Sequence, residues 1–255
     1  MSTSTTAAAG ASSASDTLTL YSWPESGNSY KVRLLLAFLR VPHTVRDLDF
    51  LSQEQQSDWF RCINPKGEVP TLVHNQTTLT DSSSILAYIA ATYDDLGRRG
   101  TGPSSYYGQD LLEQVKIIEW LAFANGWVQH GVFTARAILS YGGPYNGLGQ
   151  NTSDDALLQA RLADAKVRAH KSLAIIDAEL AKGDGWLVGY RPTIADISNF
   201  VYIALAPMGD VSLQAYPSVL AWIEAIKKLP GFIPIPGLDD PLVRRRGTRF
   251  EAVTG

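Results

Sequence analysis

The stretch Asn64-Pro65-Lys66-Gly67-Glu68-Val69-Pro70-Thr71-Leu72-Val73-His74-Asn75-Gln76-Thr77-Thr78-Leu79-Thr80 decides the architecture of the chain. Pro65, Gly67 and Pro70 prevent a helix from running through its first half. Residues 69–73 and 77–80 are then two short, β-branched runs, and His74-Asn75-Gln76 between them predicts a hairpin. Upstream, Thr17-Leu18-Thr19-Leu20-Tyr21 alternates polar and apolar residues as a strand does. A loop over residues 22–28 holds Pro24, Gly27 and Asn28, all turn formers. Residues 29–40 are rich in Leu and Val, too long for a strand and followed by Pro42, which predicts a mostly buried helix. Residues 43–50 read as a second strand and residues 53–62 as a short polar helix. Strand, helix and strand joined by a short crossover imply a parallel, right-handed unit. A helix over residues 82–93 follows the hairpin. The order βαβα then ββα across residues 17–95 predicts a compact α/β layer.

Strand patterning stops there. Residues 96–105, rich in Gly, Arg and Ser, read as a linker, and residues 106–255 as an all-helical domain. Long helical stretches are expected over 106–139, 154–181, 193–206 and 217–228, the last with Pro217 in its first turn. A loop falls at 142–151, and an irregular tail from Pro234 carries Arg244, Arg245, Arg246 and Arg249, read as a solvated end. Residues 1–16 are almost entirely Ser, Thr, Ala and Gly and read as a disordered tail without a secretory or transit pattern.

The 255 residues, 45% hydrophobic and 18% charged, suffice for a sizeable core. A net charge of −3 gives no overall attraction to nucleic acid or acidic membranes, and no apolar run is long enough to span a bilayer. One cysteine, Cys62, excludes an intramolecular disulfide and a multi-cysteine metal site, which suits the cytoplasm. Cys62 itself is expected to serve packing. No metal-ligand cluster, phosphate loop or nucleophile elbow is found.

Three segments narrow the function: Ser26-Gly27-Asn28-Ser29-Tyr30-Lys31-Val32-Arg33-Leu34, the Asn64–Leu72 turn, and Leu79-Thr80-Asp81-Ser82-Ser83-Ser84-Ile85. Within this two-part layout they resemble the glutathione S-transferase superfamily, in particular its serine-type theta and zeta classes. The resemblance implies a thioredoxin-like N-terminal domain and a helical bundle behind it. The zeta pattern is Ser-Ser-Cys, two residues, then Arg-Val-Arg. Aligned on the basic-Val-Arg run, Ser26 takes the place of the catalytic serine and Asn28 that of the cysteine. The resemblance further implies a cis Val69–Pro70 bond, with Val69 pairing its backbone to the cysteinyl part of glutathione. Asp81 and Ser82 would grip the γ-glutamyl end, and Gln55 falls where zeta members place a glutamine on the ligand. Each segment also has a plain structural reading: turn punctuation at Ser26, a strand-start proline at Pro70, a helix cap at Asp81 and Ser82.

The implied chemistry is sound. A thiolate, not a thiol, is the nucleophile, and a free thiol has a pKa near ~8.5. A hydroxyl at Ser26 and the N–H groups of Asn28 and Ser29 at a helix start would favour the anion. The expected activity is attack of glutathione on a small hydrophobic electrophile, in detoxification or specialised metabolism. Glutathione-dependent cis–trans isomerisation and a non-catalytic carrier role are the alternatives. A homodimer is implied by the resemblance alone. In the helical half, Thr193-Ile194-Ala195-Asp196 is a capping box with a folding role. Trp23, Trp127, His130 and Phe133 are the candidates for a second-substrate pocket. The resemblance covers residues 17–232, closely before the linker and thinly after it, and the pocket region lacks the polar residues of zeta members.

Overall fold

A computed structural model describes residues 17–50, 52–98, 106–108, 110–142 and 154–244. The tail at 1–16, most of the expected linker, the loop beyond Gly142 and the arginines at 245, 246 and 249 lie outside those residues. Four strands, β1 (Leu18–Ser22), β2 (Thr44–Asp47), β3 (Thr71–His74) and β4 (Thr77–Thr80), form one sheet in the order β2-β1-β3-β4. β1 pairs parallel with β2 and antiparallel with β3, and β4 returns antiparallel along β3. The alternation read in β1 is real: Leu18 and Leu20 point into the core.

Helix α1 (Gly27–Leu39) crosses from β1 to β2, and α2 (Asp58–Ile63) follows a single 3-10 turn at Glu54–Gln56. α3 (Ser82–Arg98) packs against α1. It continues past Tyr93, where the sequence reading ended it. α1 buries Tyr30, Val32, Leu34, Leu35, Leu36 and Leu39, because its other flank meets α7 (Ile194–Ala204) of the helical domain. A helix apolar on all sides belongs between two layers. Each fully buried Leu contributes roughly 1.5–3 kcal/mol.

α4 (Leu111–Phe123) starts later than residue 106, because Asp110 caps it by accepting from the Glu113 N–H at 2.9 Å. The expected single helix then widens into a π-helical segment, Ala124–Phe133, before α5 (Thr134–Tyr141). At its end the Thr134 hydroxyl donates to the Gln129 carbonyl five residues back, at 3.0 Å. α6 (Asp155–Leu180) and α8 (Pro217–Lys227) complete the bundle. The capping box forms at α7 as read. Asp196 accepts from the Thr193 N–H (2.8 Å), the Leu187 N–H (3.0 Å) and Trp222 Nε1 (3.0 Å), tying three segments into one core.

Two expectations are corrected. Cys62 is exposed and takes no part in packing, since α2 turns Phe60 and not Cys62 toward the sheet. Arg244 is not solvated: its side chain is 11% exposed and pairs with buried Glu25, bringing the C-terminal segment back to the loop after β1.

Candidate functional site

β1 ends at Ser22, and the chain turns through Trp23-Pro24-Glu25 before α1 begins. Ser26 is the cap of α1, its Oγ accepting from the Ser29 N–H at 3.2 Å. The turn is held from three sides. Arg33, two turns along α1, donates to the Pro24 carbonyl at 2.7 Å, which gives the arginine of the basic-Val-Arg run its local purpose. Buried Arg136 of α5 reaches the Glu25 carbonyl at 3.4 Å and the Tyr141 hydroxyl at 2.8 Å, and that hydroxyl donates to the Glu25 carboxylate at 3.3 Å. Arg244 pairs with the same carboxylate.

Of the two N–H groups expected to face an anion, that of Ser29 is engaged, capping onto Ser26, and that of Asn28 lies near the hydroxyl of Tyr202 from α7. Tyr202 lies so close that a Cβ on Gly27 would stand 2.8 Å from its Cζ, so only glycine fits there. Burial pushes the Tyr202 phenol well above its usual pKa. The helix dipole remains available to a ligand, and the Ser26 hydroxyl, which accepts from Ser29, still has its own proton to donate.

The Val69–Pro70 bond is cis. Both neighbouring ladders end at Thr71, so neither spends the Val69 backbone on sheet pairing. Gln55 is buried, and its Oε1 has no partner within the described residues. Its carbonyl packs against Gly67, whose φ of 63° and 2.8 Å clearance exclude a side chain. At α3, Asp81 caps the helix: Oδ1 accepts from the N–H groups of Ser83 (2.9 Å) and Ser84 (3.2 Å). Its φ of 74° is costly for a non-glycine residue, a form of strain that collects at functional sites. Ser82 is buried, and its hydroxyl donates to Asn28 Oδ1 at 3.4 Å. Ser26, Asn28, Asp81 and Ser82 therefore occupy one corner.

The pocket candidates divide. Trp23 stacks on Phe50 at 4.9 Å and meets Tyr141 edge-on at 5.9 Å, forming an aromatic wall beside Ser26. Phe133 packs on Tyr202 at 4.9 Å and so borders the Gly27 turn from the helical domain. Trp127 is 47% exposed and stacks on Phe123 of its own helix, and His130 is exposed. Among the described residues no ring contact joins Trp127 or His130 to Trp23 or Phe133. Sequence reasoning missed Glu25, Phe50, Asn125, Arg136, Tyr141 and Tyr202. Asn125 of the π-helical segment donates to the Ser83 hydroxyl at 3.1 Å, bridging the two domains at the start of α3.

A sheet layer of this topology backed by a helical bundle, with its polar corner at two helix starts, defines a two-domain protein with a thioredoxin-like domain and an all-helical domain. Family models agree. The N-terminal glutathione S-transferase domain matches residues 20–99 and the C-terminal glutathione S-transferase domain residues 152–230. The chain is 30% identical over 209 residues to glutathione S-transferase 1 of Schizosaccharomyces pombe, covering 77% of this chain and 80% of that protein. It is 23% identical over 244 residues to Protein URE2 of Meyerozyma guilliermondii, covering 86% and 79% respectively. A glutathione S-transferase structure from Xanthobacter autotrophicus Py2 superposes with a TM-score of 0.72 at 28% identity, covering 88% of this chain and 99% of that one. The chain belongs to the glutathione S-transferase superfamily.

Proposed function

We propose that the protein activates glutathione and transfers it to a small hydrophobic electrophile. In this reading the γ-glutamyl end sits at Asp81 and Ser82, the cysteinyl backbone runs along Val69 with Pro70 shaping the turn, and Gln55 meets the peptide. Asp81 keeps one carboxylate oxygen, Oδ2, for the ligand ammonium beyond its two capping bonds. The observation that carries the reading is the geometry of Ser26. Its oxygen already accepts from Ser29, and its O–H remains free to donate to an anion at the mouth of α1. Lowering the thiol pKa by about two units takes roughly 2.7 kcal/mol. A hydrogen bond to a charged group supplies ~1.5–3 kcal/mol and the helix terminus ~0.3–1 kcal/mol, which together reach it.

The thiol proton leaves to solvent and the sulfur attacks an electrophilic carbon, forming the C–S bond. A halide departs with its electron pair, or an epoxide oxygen or the carbon beyond a conjugated double bond takes the pair and then a proton. Trp23, Phe50 and Tyr141 support an aromatic face for that substrate, Phe133 the opposite wall, and Trp127 and His130 its outer rim. On α4, Leu111, Leu112, Val115 and Ile118 are each more than half exposed, which supports a homodimer through that face. No helix among the described residues is long and apolar enough to cross a membrane, and a cytoplasmic setting fits the single free thiol.

Titration calorimetry with glutathione, followed by turnover with an activated aryl halide and a conjugated enone, tests the reading. The parent binds and conjugates; Ser26→Ala binds and loses turnover roughly 10–100-fold. Binding with no turnover of any acceptor supports the carrier role, the second reading. Alkene isomerisation without glutathione consumption supports the isomerase. Unchanged turnover in Ser26→Ala removes the serine from the mechanism.

A further inference from the structure

Lys31 is left unused by this chemistry. It stands on the same face of α1 as Gly27 and Asn28, one turn deeper. It is fully buried, and its Nζ has no hydrogen-bond or ion-pair partner among the described residues. Nζ lies 5.0 Å from the centroid of the Tyr202 ring, and that ring in turn covers Gly27. The ammonium therefore sits directly behind the turn that carries Ser26. Charged and titratable groups facing this spot are Asp81 from the start of α3 and Tyr202 from α7, with Arg136 of α5 acting on Tyr202. Desolvation pushes the Lys31 pKa down to about 8, and Asp81 opposes that only partly.

The placement is unfavourable twice over for an empty site. A buried ammonium whose only contact is the face of an aromatic ring is costly, and the first turns of a helix already carry the positive end of its dipole. An anion at the helix mouth adds an attraction that offsets both terms. We propose that Lys31 is a positioning charge for glutathione: from behind Tyr202 and Asn28 it holds the bound sulfur as thiolate. The proposal rests on the glutathione reading above and deepens it. Lys31 touches neither the ligand nor its proton; it acts through its field. At an effective dielectric of about 20, a unit charge displaces a thiol pKa by about one unit from roughly 12 Å away.

The test is thiolate absorbance of bound glutathione against pH, with melting temperature, in the parent, Lys31→Met, Lys31→Arg and Ser26→Ala. Lys31→Met is expected to bind glutathione, to raise the bound-thiol pKa by about one unit, and to melt above the parent. Lys31→Arg is expected to keep the parental thiol pKa. A lysine that is only structural gives the opposite pair, a lower melting temperature and an unmoved thiol. Either that pair or failure of Lys31→Met to fold overturns the proposal. If Ser26→Ala moves the thiol and Lys31→Met does not, the lysine role falls and the glutathione reading stands. A parent that leaves the thiol pKa at its free value overturns both.

Discussion

Helices α1 and α7 each bury a charged side chain near the N-terminus, and they treat it in opposite ways. Asp196 of α7 has the sign the helix dipole favours, and it accepts from Leu187, Thr193 and Trp222. Its burial still raises the carboxyl pKa, and the hydrogen bonds oppose that. Lys31 of α1 has the sign the dipole disfavours and no hydrogen bond among the described residues. Equal burial with opposite satisfaction separates a charge built for folding from one held ready for a ligand.

The largest expected effect lies on the folding side. Asp196→Ala leaves the donors of Leu187, Thr193 and Trp222 buried without an acceptor, and a cost of about 3–5 kcal/mol is expected in denaturant titration. A loss below about 1 kcal/mol would mean the box does not hold α7, and the contrast would dissolve.

The lysine side is sharpened by pH. The folded pKa of Lys31, about 8, lies below its ordinary value of 10.5, so the unfolded chain binds more protons between the two. Parental stability therefore gains as pH rises through that window. Lys31→Met is expected to be more stable than the parent by about 3 kcal/mol below pH 8, with the gap closing at roughly 1.4 kcal/mol per pH unit above it. Tyr30 and Tyr202, raised by burial, weaken both proteins alike above pH 10 and drop out of the difference. A gap that does not change with pH would show that burial leaves the Lys31 pKa at its ordinary value, and a gap that keeps widening well below pH 8 would show that Lys31 is uncharged in the fold.

Ser26→Ala comes next. It removes a cap and the proposed donor together, so about 1 kcal/mol of stability and about 1.5–3 kcal/mol of transition-state stabilisation should go. Ser26→Asn keeps a capping acceptor, so it should restore stability without activity; recovery of both would assign Ser26 to capping alone. The smallest effect is at Cys62. Being exposed, Cys62→Ser should change stability by less than about 0.5 kcal/mol and leave turnover intact.

Much of the fold was legible because its signals are local. The hairpin, the turn at Pro70, the capping box at Thr193 and Asp196, and Pro217 at the start of α8 each state their structure within a few residues. The corner formed by Ser26, Asn28, Asp81 and Ser82 is legible as two motifs, though capping is a rival to the ligand role of Asp81, and the structure shows its capping bonds formed. What the sequence hid is nonlocal. Nothing near Gly27 announces that Tyr202 will cover it, and Glu25 gives no sign of Arg136 or Arg244. The π-helical segment was hidden for another reason: its apolar spacing reads as ordinary helix, and the wider turn shows only in the backbone.

The most direct measurement of the central claim is a crystal structure of the protein soaked with glutathione. The account predicts the sulfur within hydrogen-bond reach of Ser26 Oγ, the α-carboxylate at Ser82 and the start of α3, and the Val69 backbone paired with the cysteinyl unit. A sulfur turned away from Ser26, or a γ-glutamyl end bound elsewhere than the Asp81–Ser82 corner, would contradict it.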